Sequence, residues 1–127
     1  MKHQALAPAA FLFFLFAFCP AHLLLANGEA GVNFYTGSLK KVQEKAAKEG
    51  KLYFIDFVAA WCMPCRQMDE TTFKDPALAA YLEGSYIASK IDVDDFDGLI
   101  YKNQYNIKVL PTILVFNASG KLLGRYE

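Results

Sequence analysis

Leu52 to Ala59 is an apolar, aromatic and β-branched run broken only by Asp56, and it leads directly into Trp61-Cys62-Met63-Pro64-Cys65. Such a run suits a strand buried on both faces, which needs cover from two sides and therefore a layered α/β arrangement. Asp56 is then a charge in an apolar setting. The Cys62-Met63-Pro64-Cys65 stretch fits a strand-to-helix turn, because proline is tolerated in a first helical turn, where its missing N–H is not needed.

The neighbouring segments supply the covering layers. Ser38 to Glu49 places Leu39, Val42, Ala46 and Ala47 on one side and its lysines and glutamates elsewhere, the pattern of an amphipathic helix closed by Gly50. Asp75-Pro76 reads as an N-cap and first helical position for a helix to about Leu82, with Gly84 ending it. Tyr86 to Val93 reads as a second strand. Phe96 to Gln104 reads as a helix whose start is favoured by Asp92, Asp94 and Asp95. Ile113 to Phe116 and Lys121 to Tyr126 read as strands joined by the turn signal Asn117-Ala118-Ser119-Gly120. This order predicts parallel strands first and an antiparallel hairpin last, hence a mixed sheet flanked by helices.

With 127 residues there is room for one domain, and part of the chain lies outside it. In Ala5 to Ala26 only Pro8, Pro20 and His22 are not hydrophobic, and the segment begins Met1-Lys2 and ends near the small residues Ala26, Gly28 and Ala30. This is the layout of a secretory signal over residues 1–28. A membrane tether through residues 5–26 is the rival, since 22 helical residues would span about 33 Å. Pro20 weakens the tether reading, and Phe18 before Cys19 departs from the small residue of bacterial lipoprotein signals. All these readings place residues 29–127 outside the cytoplasm, soluble or anchored.

Both histidines, His3 and His22, lie in that leader, as does Cys19. The remainder has no histidine for acid/base catalysis or a Cys/His triad, and too few ligands for a structural zinc site. Cys62 and Cys65 are left to act mainly on each other. Lys+Arg and Asp+Glu balance at 13 each, and the cations are scattered, so no field points to nucleic acid. The acidic run Asp92, Asp94, Asp95 and Asp97 lacks the glycine and glutamate positions of a calcium loop. Asn117-Ala118-Ser119 matches a glycosylation acceptor, but turn chemistry already accounts for it.

Trp61-Cys62-Met63-Pro64-Cys65-Arg66, after a buried strand and opening a helix, resembles the active-site motif of the thioredoxin superfamily, and the resemblance extends over residues 34 to 126. Three further features fall where that family has them: Asp56 six residues before Cys62, Lys90 at the end of the next strand, and Val109-Leu110-Pro111-Thr112 before the hairpin. The stretch Glu70-Thr71-Thr72-Phe73-Lys74-Asp75-Pro76 is similar to the periplasmic thioredoxin-like domains of transmembrane electron-transfer proteins. The resemblance implies a thioredoxin fold and thiol:disulfide exchange, with no cofactor or metal beyond the redox-active pair. It also implies protein disulfides as substrates and a membrane-bound thiol electron donor.

Elementary chemistry assigns parts within that frame. A thiol at a helix N-terminus faces unpaired N–H groups and the positive end of the dipole, so Cys62 is the expected nucleophile. Cys65, one turn inward, is the expected resolving thiol. Asp56 is the only nearby group on this reading to take its proton, and the resemblance places Lys90 beside Asp56 to tune it. Pro111 matches the family's cis-proline, leaving the Leu110 backbone free to pair with an extended substrate, and Trp61 shields and presents the motif. Plain structural readings stand beside each of these.

Reduction is the expected direction, with oxidase or isomerase, a redox-inactive binding module and a metal carrier as rivals. Two departures from the family pattern remain. Met63-Pro64 replaces the Gly-Pro of cytoplasmic thioredoxins, and the sequence ends at Glu127, after the last strand, where the fold normally adds a C-terminal helix. The expectation is a chain cut short with its active-site half intact.

Overall fold

The computed structural model describes residues 31–127, so the leader read in residues 1–28 lies outside the described residues. Helix α1 (Leu39–Glu49) starts where the Ser38 side chain accepts the Lys41 N–H and stops at Gly50, whose left-handed conformation (φ 65°) returns its N–H to the carbonyls of Ala46 and Ala47. Strand β1 (Leu52–Val58) leads to α2 (Met63–Glu70), a 3-10 turn (Thr72–Lys74) and α3 (Pro76–Ser85). Strand β2 (Tyr86–Asp92), helix α4 (Phe96–Gln104) and the strands β3 (Thr112–Phe116) and β4 (Leu122–Tyr126) complete the order.

The sheet order is β2-β1-β3-β4, with β1 parallel to β2, and β3 antiparallel to both β1 and β4. This is the mixed sheet that the element order implied, and the arrangement is a thioredoxin fold. A parallel bridge from Phe34 to Ala88 adds the residues before α1 to the outer edge of β2. Asn117 Oδ1 accepts hydrogen bonds from the backbone N–H groups of Ser119 and Lys121 and from the Ser119 hydroxyl, which shapes the turn between β3 and β4.

β1 lies between the other strands, and its five central residues are all buried. Tyr53, Ile55 and Phe57 share one core with Val42 and Ala46 of α1, and with Leu114 and Phe116 of β3. Tyr53 stacks on Phe116 with ring centroids 5.0 Å apart. Phe54 forms a second core with Phe73 and Ala88, flanked by Phe34, Leu78 and Ile113. Asp56 alternates onto the Phe54 side of the strand.

Two local differences from the sequence reading have simple causes. The 3-10 turn was not foreseen; its Phe73 is drawn into the second core, meeting Phe34 edge-on at 5.0 Å. α3 continues through Gly84 to Ser85 instead of ending near Leu82, because the chain leaves the helix only when Tyr86 turns extended to enter β2. Among the described residues no helix is long and apolar enough to cross a membrane.

Gly98, buried in α4, is where the backbone of the preceding turn comes closest: a Cβ there would lie 1.7 Å from the Asp92 carbonyl oxygen. Gly98→Ala should therefore lower unfolding free energy by about 3 kcal/mol or more. Gly84→Ala, with nothing within 4 Å of the new methyl, should raise it by up to about 1 kcal/mol. Urea titrations of the two variants beside the parent check both signs.

Candidate active site

The turn that leaves β1 is closed by the Cys62 N–H bonding the Ala59 carbonyl at 3.0 Å. Cys62 is the N-cap of α2: its backbone is extended, and its Sγ accepts the Cys65 N–H at 3.2 Å. Pro64 occupies the first helical turn, as its missing N–H allows. Cys62 and Cys65 are joined by a disulfide with their Cα atoms 5.3 Å apart. Both are nearly covered, at 2 % and 3 % exposure, and Cys62 contributes to the wall of an open cleft of about 540 Å³.

The loop between α4 and β3 forms the facing wall. Its Leu110–Pro111 peptide bond is cis, and Thr112 Oγ1 donates to the Val109 carbonyl at 2.7 Å. Val109 and Leu110 line the cleft with Trp61 and Met63, and Leu110 makes no backbone hydrogen bond among the described residues. Trp61 is 66 % exposed and is tethered by its Nε1, which donates to Asp94 Oδ2 at 2.7 Å. A side chain this open is not core filling. Sequence reasoning had Asp94 as charge near a helix start and as part of an acidic run unlike a calcium loop, and nothing in the linear pattern links it to Trp61.

Asp56 has no exposed surface, and neither carboxyl oxygen has a hydrogen-bond partner among the described residues. Burial pushes its pKa up to about 7; Lys90 opposes the rise and Asp69 adds to it. The parallel register sets Lys90 opposite Asp56, with Nζ 3.9 Å from Oδ2. Its direct hydrogen bond, however, goes to Asp69 of α2. The ammonium also lies over the rings of Phe34, at 4.3 Å, and Phe73, at 5.1 Å. Lys90 is thus a partly buried bridge between two carboxyl groups.

Asp69 was missed as a member of this cluster. A signal existed, since Cys65 and Asp69 are four residues apart and so share one face of α2. Among the described residues, no three His, Cys, Asp or Glu side chains are grouped to hold a metal ion. Within the acidic run, Asp92 Oδ1 accepts the Asp94 N–H at 2.9 Å, and Asp94 holds Trp61. The geometry provides a disulfide at a helix N-terminus, a donor N–H on the outer sulfur, and a buried carboxyl that changes protonation near neutrality.

A family model described as a thioredoxin-like domain matches residues 39–127. The thiol:disulfide interchange protein DsbD of Actinobacillus pleuropneumoniae is 35 % identical over 91 residues, which cover 68 % of this chain and 15 % of that protein. Thioredoxin H4 of Arabidopsis thaliana is 34 % identical over 95 residues, covering 74 % of this chain and 75 % of that one. A solution structure from Bacteroides thetaiotaomicron, named for a disulphide isomerase, superposes with a TM-score of 0.69 at 30 % identity, covering 77 % of this chain and 81 % of that one. The chain thus spans less than a sixth of the length of the DsbD protein and three quarters of the plant thioredoxin. With its sheet, its Cys62–Cys65 disulfide in the C-x-x-C position and these relatives, the chain belongs to the thioredoxin-like thiol:disulfide oxidoreductases.

Proposed function

We propose that this protein is an exported reductase of protein disulfides. The observation that carries the reading is the Cys62–Cys65 disulfide at the head of α2, opening onto a cleft with Asp56 buried behind it on β1. The reduced Cys62 thiolate attacks one sulfur of a substrate disulfide, forming a mixed disulfide and releasing the other sulfur as a thiolate. Cys65 gives up its proton to Asp56 through a water and attacks Cys62 Sγ. The Cys62–Cys65 disulfide forms, and the second substrate sulfur leaves as a thiolate that takes up a proton. A membrane-bound thiol donor then returns two electrons to the pair.

The remaining residues have supporting parts. Leu110 offers free backbone groups to an extended substrate, Pro111 shapes that edge, and Trp61 covers the motif. Lys90, shared with Asp69, sets how readily Asp56 accepts a proton. The leader in residues 1–28 supports export, by cleavage or through a tether. The name of the Bacteroides thetaiotaomicron relative favours isomerisation as a second reading.

The equilibrium potential of the pair separates these directions. A value near or below about −250 mV supports reduction, and one near −120 mV moves the assignment to oxidation. Cys62→Ser should abolish disulfide reduction, whereas Cys65→Ser should accumulate the mixed disulfide, seen as an intact-mass adduct. A parent pair that does not cycle at all would leave a redox-inactive binding module.

Asp56 gives two further expectations. Asp56→Asn should slow release of the mixed disulfide by about 100-fold at neutral pH and remove a step near pH 7 from its profile, followed by rapid quench and alkylation. The folded carboxyl titrates above its unfolded value, so the unfolded chain ionises first as pH rises. Stability should then fall between about pH 4 and pH 7 and level off above, by roughly 4 kcal/mol at most. Denaturant titrations across that range should show the slope in the parent and its loss in Asp56→Asn.

A further inference from the structure

The cleft beside Cys62 is chemically lopsided. Trp61, Met63, Val109 and Leu110 make it apolar, and the charged side chains in its wall are Lys102 of α4 and Lys108 of the loop before β3. Among the described residues no carboxylate lines it. Neither lysine forms an ion pair among the described residues, whereas Lys40, Lys45 and Lys51, around α1, are matched by Glu44 and Glu49. Asp94 accepts the Trp61 indole N–H and keeps its charge, but it lies behind the tryptophan and is not part of the cleft lining. Arg66, one turn into α2, hydrogen-bonds only the Met63 sulfur among the described side chains.

We infer that this cleft selects partner segments carrying carboxylates beside the target cysteine, with Lys102 and Lys108 as the residues that read them. The inference rests on the oxidoreductase reading and adds the class of substrate. Screening sets its reach: at physiological ionic strength charge is felt over about 8 Å, and an extended chain advances about 3.3 Å per residue. A carboxylate has to come within that screening distance of Lys102 or Lys108, which line the same cleft as Cys62, so it has to lie within a few positions of the cysteine that Cys62 attacks. The apolar walls hold the residues between them, and the unpaired Leu110 backbone fixes the segment as an added strand. Charges at such a rim act mainly on the rate of encounter, so the selection should appear in the second-order rate of exchange.

The test uses the full chain, reduced with dithiothreitol and freed of it, reacting with disulfide-linked peptides identical except for Glu, Ser or Lys on either side of the cysteine. The rate for the Glu peptide should exceed that for the Lys peptide by about tenfold at low salt, and the ratio should approach one in 0.5 M sodium chloride. Lys102→Gln with Lys108→Gln should bring the ratio close to one, and the corresponding pair of Glu substitutions should invert it. Lys40→Gln, on α1 away from the cleft, should leave the ratio as it was. Because the readout is a ratio within one preparation, a general loss of activity does not mimic the result. A parent ratio near one, or a ratio that the cleft substitutions leave in place, overturns the inference. If the Ser peptide is not reduced either, the oxidoreductase reading fails and this inference falls with it.

Discussion

β1 is buried from Tyr53 to Phe57, and within that stretch sits a carboxyl group with no hydrogen-bond partner among the described residues. A buried, unpaired carboxylate is far more expensive than a buried, unpaired carboxylic acid, so the surroundings drive Asp56 toward its neutral form near pH 7. The same burial makes β1 the common wall of both cores. Tyr53, Ile55 and Phe57 meet α1 and β3 on one side, and Phe54 meets Phe73 and Ala88 on the other. What fixes the strand also fixes the place where it ends, which is where the disulfide begins. The reactive pair is therefore held by the most constrained segment of the chain.

Lys90 does not neutralise Asp56 in a simple pair. Its closer contact is with Asp69, and two aromatic rings hold its ammonium in place. A cation already satisfied by one carboxylate stabilises a second less, which is why burial outweighs the attraction at Asp56. The three groups come from three elements, β1, β2 and α2, so the protonation of the buried carboxyl depends on how α2 rests over the sheet. Phe34 and Phe73 connect the same cluster to the second core, joining packing to electrostatics.

The strands and helices were legible because their signals are local. The β-branched run of β1, the Asp75-Pro76 start of α3 and the Ser38 and Gly50 ends of α1 each carry their own steric or capping reason. The cis bond at Pro111 was readable only through the resemblance of the surrounding motif, whereas the pairing of Cys62 with Cys65 followed already from their being the two cysteines outside the leader. What escaped were features made by contact at a distance in the chain. Asp69 meets Lys90 across 21 positions and Asp94 meets Trp61 across 33, and neither link leaves a periodic trace. The 3-10 turn at Phe73 was missed for the same reason, since its cause is a pocket assembled from β1, β2 and the chain before α1.

The two cysteines consequently face different chemistry although only three positions separate them. Cys62 Sγ has an amide N–H at 3.2 Å and borders a cleft whose charged lining residues, among the described residues, are two lysines, so these groups favour negative charge there. Cys65 lies one turn inward, buried in the core with Tyr53, Ile55 and Phe57. That asymmetry comes from helix position and a short loop, in a stretch, residues 31–127, that contains no histidine.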